Sequence, residues 1–119
     1  MFDIGHKKLD VYKIALQLVK EVYSVTRSFP KEEQFILTTQ LRRAAISVCS
    51  NIAEGSARAS KAERKRFYEI SRSSLVEIDT QFEAALLLNY IGKETTEKLE
   101  RYIGSIFKML SIMINNLCR

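Results

Sequence analysis

Pro30, Gly55 and Gly92 punctuate this chain at three joints, and between those joints the apolar residues recur every three or four positions. With one proline and four glycines in 119 residues, little stands in the way of helix propagation. Four long helices are predicted. From Leu9 to about Ser28, one stripe holds Val11, Ile14, Ala15, Leu18, Val22 and Val25, with Tyr12, Leu16, Val19 and Tyr23 beside it. Phe29-Pro30 ends that helix, because proline lacks an amide donor and disfavours helical geometry in the residue before it. Lys31-Glu32-Glu33 then puts acids where a helix's positive pole favours them, so a second helix is predicted from there to about Glu54. Its core stripe is Leu37, Leu41, Ala44, Ala45, Val48 and Ile52.

Gly55 reads as the C-terminal stop of helix two, since glycine enters the left-handed conformation freely. Ser60 followed by Glu63 reads as a capping box that opens helix three, running about 30 residues to Tyr90. Its inward period is Phe67, Ile70, Ser71, Ser74, Ile78, Phe82, Ala85 and Leu86, and Gly92 reads as the next stop. Helix four is predicted over Glu94 to Leu117, with Leu99, Tyr102, Ile103, Ile106, Phe107, Leu110, Met113, Ile114 and Leu117 inward. Short connectors between four such helices imply an all-α, antiparallel up-down-up-down four-helix bundle, expected to fill residues 1–119 as a single domain. The apolar faces of helices one and four are wider than one bundle seam needs, which predicts a homo-oligomer.

No apolar run approaches the roughly 20 residues needed to cross a bilayer. The opening Met1-Phe-Asp-Ile-Gly-His6 lacks a signal peptide's basic start and apolar middle. A soluble, cytoplasmic protein with no membrane partner is expected. Cys49 and Cys118 have no neighbouring cysteine or histidine to complete a metal set, so both read as structural thiols.

Helix two also carries a polar line. Gln40, Arg43, Ser47, Asn51 and Glu54 recur at the spacing that stacks side chains on one helical face. A guanidinium, an amide and a carboxylate in one stripe must be hydrated, or internally paired if buried. Ser74, Glu77 and Gln81 form a shorter stripe on helix three, with Arg43 to Glu77 as the expected pairing; the mundane alternative is a solvated face.

The formal charge of +5 is concentrated. Between Gly55 and Ser73 stand Arg58, Lys61, Arg64, Lys65, Arg66 and Arg72, against Glu63 and Glu69. Lys7, Lys8 and Lys13 form a second basic end. Such a surplus attracts phosphate backbones, although similar surfaces also serve solubility alone.

Catalytic chemistry is sparse. The one histidine, His6, cannot supply the paired Glu-x-x-His motifs of a di-metal bundle, and no phosphate-cradling glycine motif is present. Glu33, Glu54, Glu77 and Asp79 are the candidate carboxylates for acid–base work, and pairing with Arg42, Arg43, Arg58 or Arg72 is their simpler role. No cofactor and no enzymatic activity are expected.

Phe29-Pro-x-x-Glu33, Leu37-Thr-x-Gln-Leu-Arg-Arg-Ala-x-x-Ser47 and Ser50-Asn-Ile-Ala-Glu-Gly55-x-x-Arg58 together resemble a bacterial family of small four-helix-bundle proteins encoded in intervening sequences of large-subunit rRNA. Leu9-Asp-Val-Tyr-Lys13 and the run from Phe67 to Gln81 extend the resemblance over nearly the whole chain, with Tyr12 standing where the family usually has tryptophan. The resemblance implies a ring-shaped homopentamer. It also implies similarity to the accessory protein of diversity-generating retroelements, which binds a reverse transcriptase and nucleic acid. Carried over by position, the family's motif residues are Glu33, Gln40, Arg42, Arg43, Ser47, Asn51, Glu54, Gly55, Arg58, Ser74 and Glu77.

Three functional expectations follow. The first is a non-catalytic oligomeric module whose basic end meets structured RNA or DNA. The second is a protein–protein adaptor that uses the Asn51 to Arg58 corner to hold a nucleic-acid enzyme such as a reverse transcriptase. The third is the alternative to the expected absence of activity, an enzyme built on the polar stripe, which requires a concave pocket lined by Arg43, Glu54 and Glu77.

Overall fold

The computed structural model describes residues 5–118; residues 1–4, which open the stretch read for a signal peptide, and Arg119 lie outside the described residues, as do the side chains of Lys7 and Lys8. Helix α1 spans Asp10–Thr26, α2 Leu37–Ala57, α3 Lys61–Leu87 and α4 Lys93–Leu117, with 3-10 turns at Gly5–Lys8 and Lys31–Glu33. The expected all-α four-helix bundle is what the chain forms, and no strand occurs among the described residues.

Bonds between helices set their directions. Gln81 Nε2 donates to Gln40 Oε1 at 3.2 Å, the Ser47 and Ser74 hydroxyls meet at 2.9 Å, and Ser71 Oγ donates to the Val48 carbonyl at 2.9 Å. Further along, the Ser56 and Tyr68 hydroxyls meet at 3.1 Å, so the α3 partner's number falls as the α2 number rises. The two helices are antiparallel. Arg42 near the start of α2 reaches Thr26 at the end of α1, Lys98 near the start of α4 pairs with Glu21 of α1 at 3.2 Å, and Arg72 of α3 donates to Ser111 of α4 at 3.1 Å. Each helix packs on its neighbours in the chain, and α4 closes against α1.

Leu18, Leu41, Ile52, Leu75, Ile78, Leu99, Ile106 and Leu110 are fully buried where the four stripes converge. All the α2 stripe except half-buried Leu37 sits as expected, and Cys49 joins it. In α3 the seam lies one residue off the expected one near its start: Tyr68 and Leu75 are buried, while Ile70 and Leu86 are exposed and Phe67 is half-buried. The cause is Gly55. It does not stop α2, which continues to Ala57; it leaves bare backbone on which the Tyr68 ring lies. A Cβ built on Gly55 would stand 2.7 Å from Tyr68 Cε1 and 3.1 Å from Phe67 Cβ.

Three other boundaries differ from expectation. Helix α2 begins at Leu37, because the segment after Pro30 forms a 3-10 turn. Phe29 is buried beside Tyr90 there, their ring centres 5.4 Å apart, and the Tyr90 hydroxyl donates to Glu33 Oε2 at 2.8 Å. Glu33 therefore ties two connectors together and does not serve a helix pole. Helix α3 stops at Leu87 through Asn89, which adopts φ 62°, while Tyr90 N–H bonds the Ala85 carbonyl and Asn89 N–H bonds that of Leu86. This is the paired closure of a left-handed cap. Gly92 instead opens α4 as its N-cap. Half of the expected capping box forms: the Ser60 hydroxyl accepts from Glu63 N–H at 3.2 Å, and no return bond from the Ser60 amide to the Glu63 carboxylate occurs among the described residues.

The surplus apolar surface expected on helices one and four is present on α4 but nearly absent from α1, and α3 and the connectors carry more of it. Among the large apolar residues of α1, Leu16 alone is exposed, because α2 and α4 cover the rest of its stripe. The exposed set on α3 is Ile70, Val76, Leu86 and Leu87, with Phe107 and Ile112 on α4 and Phe35, Ile36 and Leu88 at the connectors.

Candidate nucleic-acid interface and polar cleft

Ala57 ends α2, and Lys61 begins α3 after a three-residue connector, so the cationic run is folded onto one end of the bundle. Lys61, Arg64, Lys65 and Arg66 occupy the first two turns of α3, and the first turn is where the positive end of the helix dipole favours acids. Glu63 is the only acid in the first turn. Lys61 and Arg66 are exposed, and none of these four cations forms an ion pair among the described residues. Arg64 Nε donates to the Arg58 carbonyl, which fixes its stem and leaves the outer guanidinium nitrogens unused by that bond. Arg58 is engaged, with Nη2 3.0 Å from Glu54 Oε2 and its guanidinium 4.9 Å from the Phe67 ring centre.

Arg72 does not belong to this group. It donates to Ser111 and lies 5.6 Å from the Phe107 ring centre, fastening α3 to α4. A recess of about 240 Å³, lined by His6, Leu9, Ser56, Arg64 and Tyr68 among others, lies beside the cationic corner.

The polar stripes of α2 and α3 do face each other. They line an open cleft of about 540 Å³ formed by Gln40, Arg43, Ala44, Ser47, Ser74, Glu77 and Gln81. The Ser47–Ser74 bond crosses it, and Asn51 Nδ2 donates to the Ser47 carbonyl at 2.8 Å and to Ser47 Oγ at 3.0 Å. Arg43 and Glu77 share the cleft without closing the expected ion pair, since both are solvent-exposed and neither has an opposite charge within 4.0 Å among the described residues. Glu54 turns to Arg58, one helical turn on, and takes no part in the cleft. The pocket of Arg43, Glu54 and Glu77 required for a catalytic stripe is therefore not assembled.

Other motif residues hold the fold. Arg42 Nε donates to Thr26 Oγ1 at 2.9 Å, and its guanidinium lies 4.6 Å from the Tyr23 ring centre, so it binds the end of α1 to α2. The hydrogen bond to Glu33 raises the Tyr90 hydroxyl above its ordinary pKa, with burial and the negative charges of Glu33 and Glu32 adding to it. Burial pushes the Cys49 thiol up to about 11. Tyr68, Tyr90 and Ser111 escaped the sequence reading: their partners lie 12, 57 and 39 positions away, and no local pattern signals such bonds.

Among the described residues, no group of three or more His, Cys, Asp or Glu side chains is placed to hold a metal ion. No helix among them is long and apolar enough to cross a membrane.

The fold is that of a four-helix bundle with one cationic end. The family described as 23S rRNA-intervening sequence protein matches residues 7–112, and the chain belongs to that family. Among solved structures, it is similar to the crystal structure of a protein with unknown function from the S23 ribosomal protein family of Bacteroides thetaiotaomicron VPI-5482. The TM-score is 0.81 at 22% identity, covering 88% of this chain and 95% of that one. That likeness shows the shared fold. No curated protein matches the chain.

Proposed function

We propose that the protein is a non-catalytic, cytoplasmic, homo-oligomeric binding module that contacts structured RNA or DNA through its basic end. A pentameric ring is the assembly that the resemblance to its family implies. The observation that carries this reading is the placement of Lys61, Arg64, Lys65 and Arg66 at the positive pole of α3 without ion-pair partners among the described residues. There the dipole and the side chains repel each other, and both attract a phosphate.

The test is a binding titration against salt with a structured RNA and a duplex DNA. Each phosphate contact adds about 0.7 to 0.9 to the logarithmic salt slope. Reversing Lys61, Lys65 and Arg66 to glutamate is therefore expected to flatten the slope by about 2 to 3. Between 50 and 200 mM salt, three contacts correspond to roughly a 20- to 40-fold change in affinity. An unchanged slope, or no binding at low salt, refutes the reading.

A second reading is an adaptor for a nucleic-acid enzyme such as a reverse transcriptase; the sequence points to the Asn51 to Arg58 corner for it, but the exposed apolar surface that favours it lies at the opposite end of the bundle. There Phe35 is 85% exposed and Leu87 83%, beside exposed Ile36 and Leu88. Capture of a partner protein that survives nuclease treatment and is lost on Phe35→Ser with Leu87→Ser supports this reading over direct nucleic-acid contact.

A further inference from the structure

The groove between α3 and α4 combines apolar walls with an acidic rim. Its two adjoining compartments, of about 320 and 310 Å³, share Asp79, Glu100 and Ile103. Apolar side chains line it yet stay open to solvent: Val76 is 53% exposed, Phe107 40% and Leu86 37%. Gly104 forms part of the lining, and a Cβ built there would meet nothing within 4 Å. The rim is acidic. Asp79, Glu83 and Glu100 line the groove against Lys108, and none of the three acids forms an ion pair among the described residues.

The outer row of α1 has the opposite character. Leu16 is 44% exposed, with Lys13 three residues before it and Lys20 four after, and both lysines lack ion-pair partners among the described residues. Residues at those spacings share a helical face, so an apolar knob stands between two cations. Ile46 of α2 is a weaker match: Arg42 beside it is held by Thr26, and Arg43 lines the cleft with Glu77. Helix α1 does not pack on α3, so the row and the groove are separate surfaces of one protomer.

We infer that Leu16 of one copy seats in the α3–α4 groove of the next, with Lys13 and Lys20 against Asp79, Glu83 and Glu100. Because the two surfaces differ in charge and shape, the contact is head-to-tail, and repetition closes a ring where the rotation permits. This rests on the homo-oligomeric reading above and adds to it the contacting surfaces and their polarity. A symmetric two-fold pairing of groove with groove would instead oppose like charges.

Sedimentation velocity on the full chain tests the assignment, with far-UV circular dichroism confirming that each variant is folded. Wild type is expected to sediment as an assembly. Lys13→Glu with Lys20→Glu, and separately Asp79→Lys with Glu100→Lys, are each expected to weaken association by about 30- to 100-fold. The chain carrying all four reversals is expected to recover to within about tenfold of wild type. Gly104→Trp fills the groove and is expected to dissociate the assembly without loss of helix, whereas Ile46→Glu leaves it intact. A wild-type assembly that resists both one-sided reversals and Gly104→Trp, or that fails to recover in the fourfold variant, overturns these surfaces while leaving the oligomer standing. A monomeric wild type overturns both.

Discussion

Replacing Gly55 by alanine separates packing from helix propensity. Gly55 lies within α2, two residues before its end, so alanine should help the helix by up to about 1 kcal/mol on propensity alone. The new Cβ, however, would stand 2.7 Å from Tyr68 Cε1 and 2.9 Å from Cδ1, where ordinary carbon contacts lie near 3.5–4.0 Å. The ring would have to retreat by roughly 1 Å. It is buried and its hydroxyl is bonded to Ser56, so the movement strains the seam between α2 and α3. Overpacking of this kind costs about 1–3 kcal/mol. The expected net loss is about 1–2 kcal/mol, lowering the melting midpoint by roughly 4–8 °C for a chain of this size. Gly104 supplies the contrast: with nothing near its missing Cβ, alanine there is expected to raise stability by about 0.5–1 kcal/mol. Thermal melts followed at 222 nm at one fixed protein concentration read both changes. In a Tyr68→Leu background, the Gly55→Ala penalty should shrink by at least about 1 kcal/mol. A higher midpoint for Gly55→Ala, or an undiminished penalty once the Tyr68 ring has been replaced, refutes the reasoning.

Two smaller predictions concern titrating groups. Tyr90 has its folded-state pKa raised by Glu33, so its contribution is present below the unfolded value near pH 10 and is lost as pH climbs through the raised one. Tyr90→Phe should therefore melt below wild type by a constant margin between pH 7 and 9, and the margin should close above about pH 10; a margin that persists at higher pH counts against the bond. Cys49 is buried with its thiol pushed up to about 11, whereas Cys118 is exposed. A thiol reagent at pH 8 should label one cysteine per native chain and two in denaturant, and Cys118→Ser should abolish the native labelling.

Much of the bundle was legible because its signals are local. The stripe of α2, the Ser60 cap and the stop at Phe29-Pro30 each depend on residues within a few positions of one another. The errors arose where a distant partner outweighed the local preference. Gly55 resembles a terminator to any local reading, and only the Tyr68 ring, 13 residues on, shows why a side chain is absent there. Glu32 and Glu33 look like first-turn acids until Tyr90 claims Glu33 and the chain turns once more before α2. Gly92 is the more obvious local stop because glycine is the commoner left-handed residue, yet the left-handed position falls at Asn89, and asparagine also tolerates that conformation. The shift of the α3 seam near its start accompanies the same Gly55 contact, where Tyr68 is buried while Phe67 stays half-buried and Ile70 exposed.

The candidate site becomes sharper once each charged motif residue is assigned its internal role. Glu33 holds Tyr90, Arg42 holds the end of α1, Glu54 and Arg58 hold each other, and Arg72 holds α4. These contacts account for those side chains within the fold alone. Lys61, Lys65 and Arg66 are left with no hydrogen-bond or ion-pair partner through their side chains among the described residues, and Arg64 is fixed only at Nε. Lys65 and Arg66 lie one turn on, where the dipole has largely faded. Only Lys61 and Arg64 stand in the first turn, where a cation opposes the dipole by about 0.3–1 kcal/mol, a cost comparable with what Glu63 and the Ser60 cap return. A bundle selected for stability alone would place acids there. A phosphate arriving here would be attracted by the helix pole and by these cations together, which is the physical basis of the contact proposed for this end.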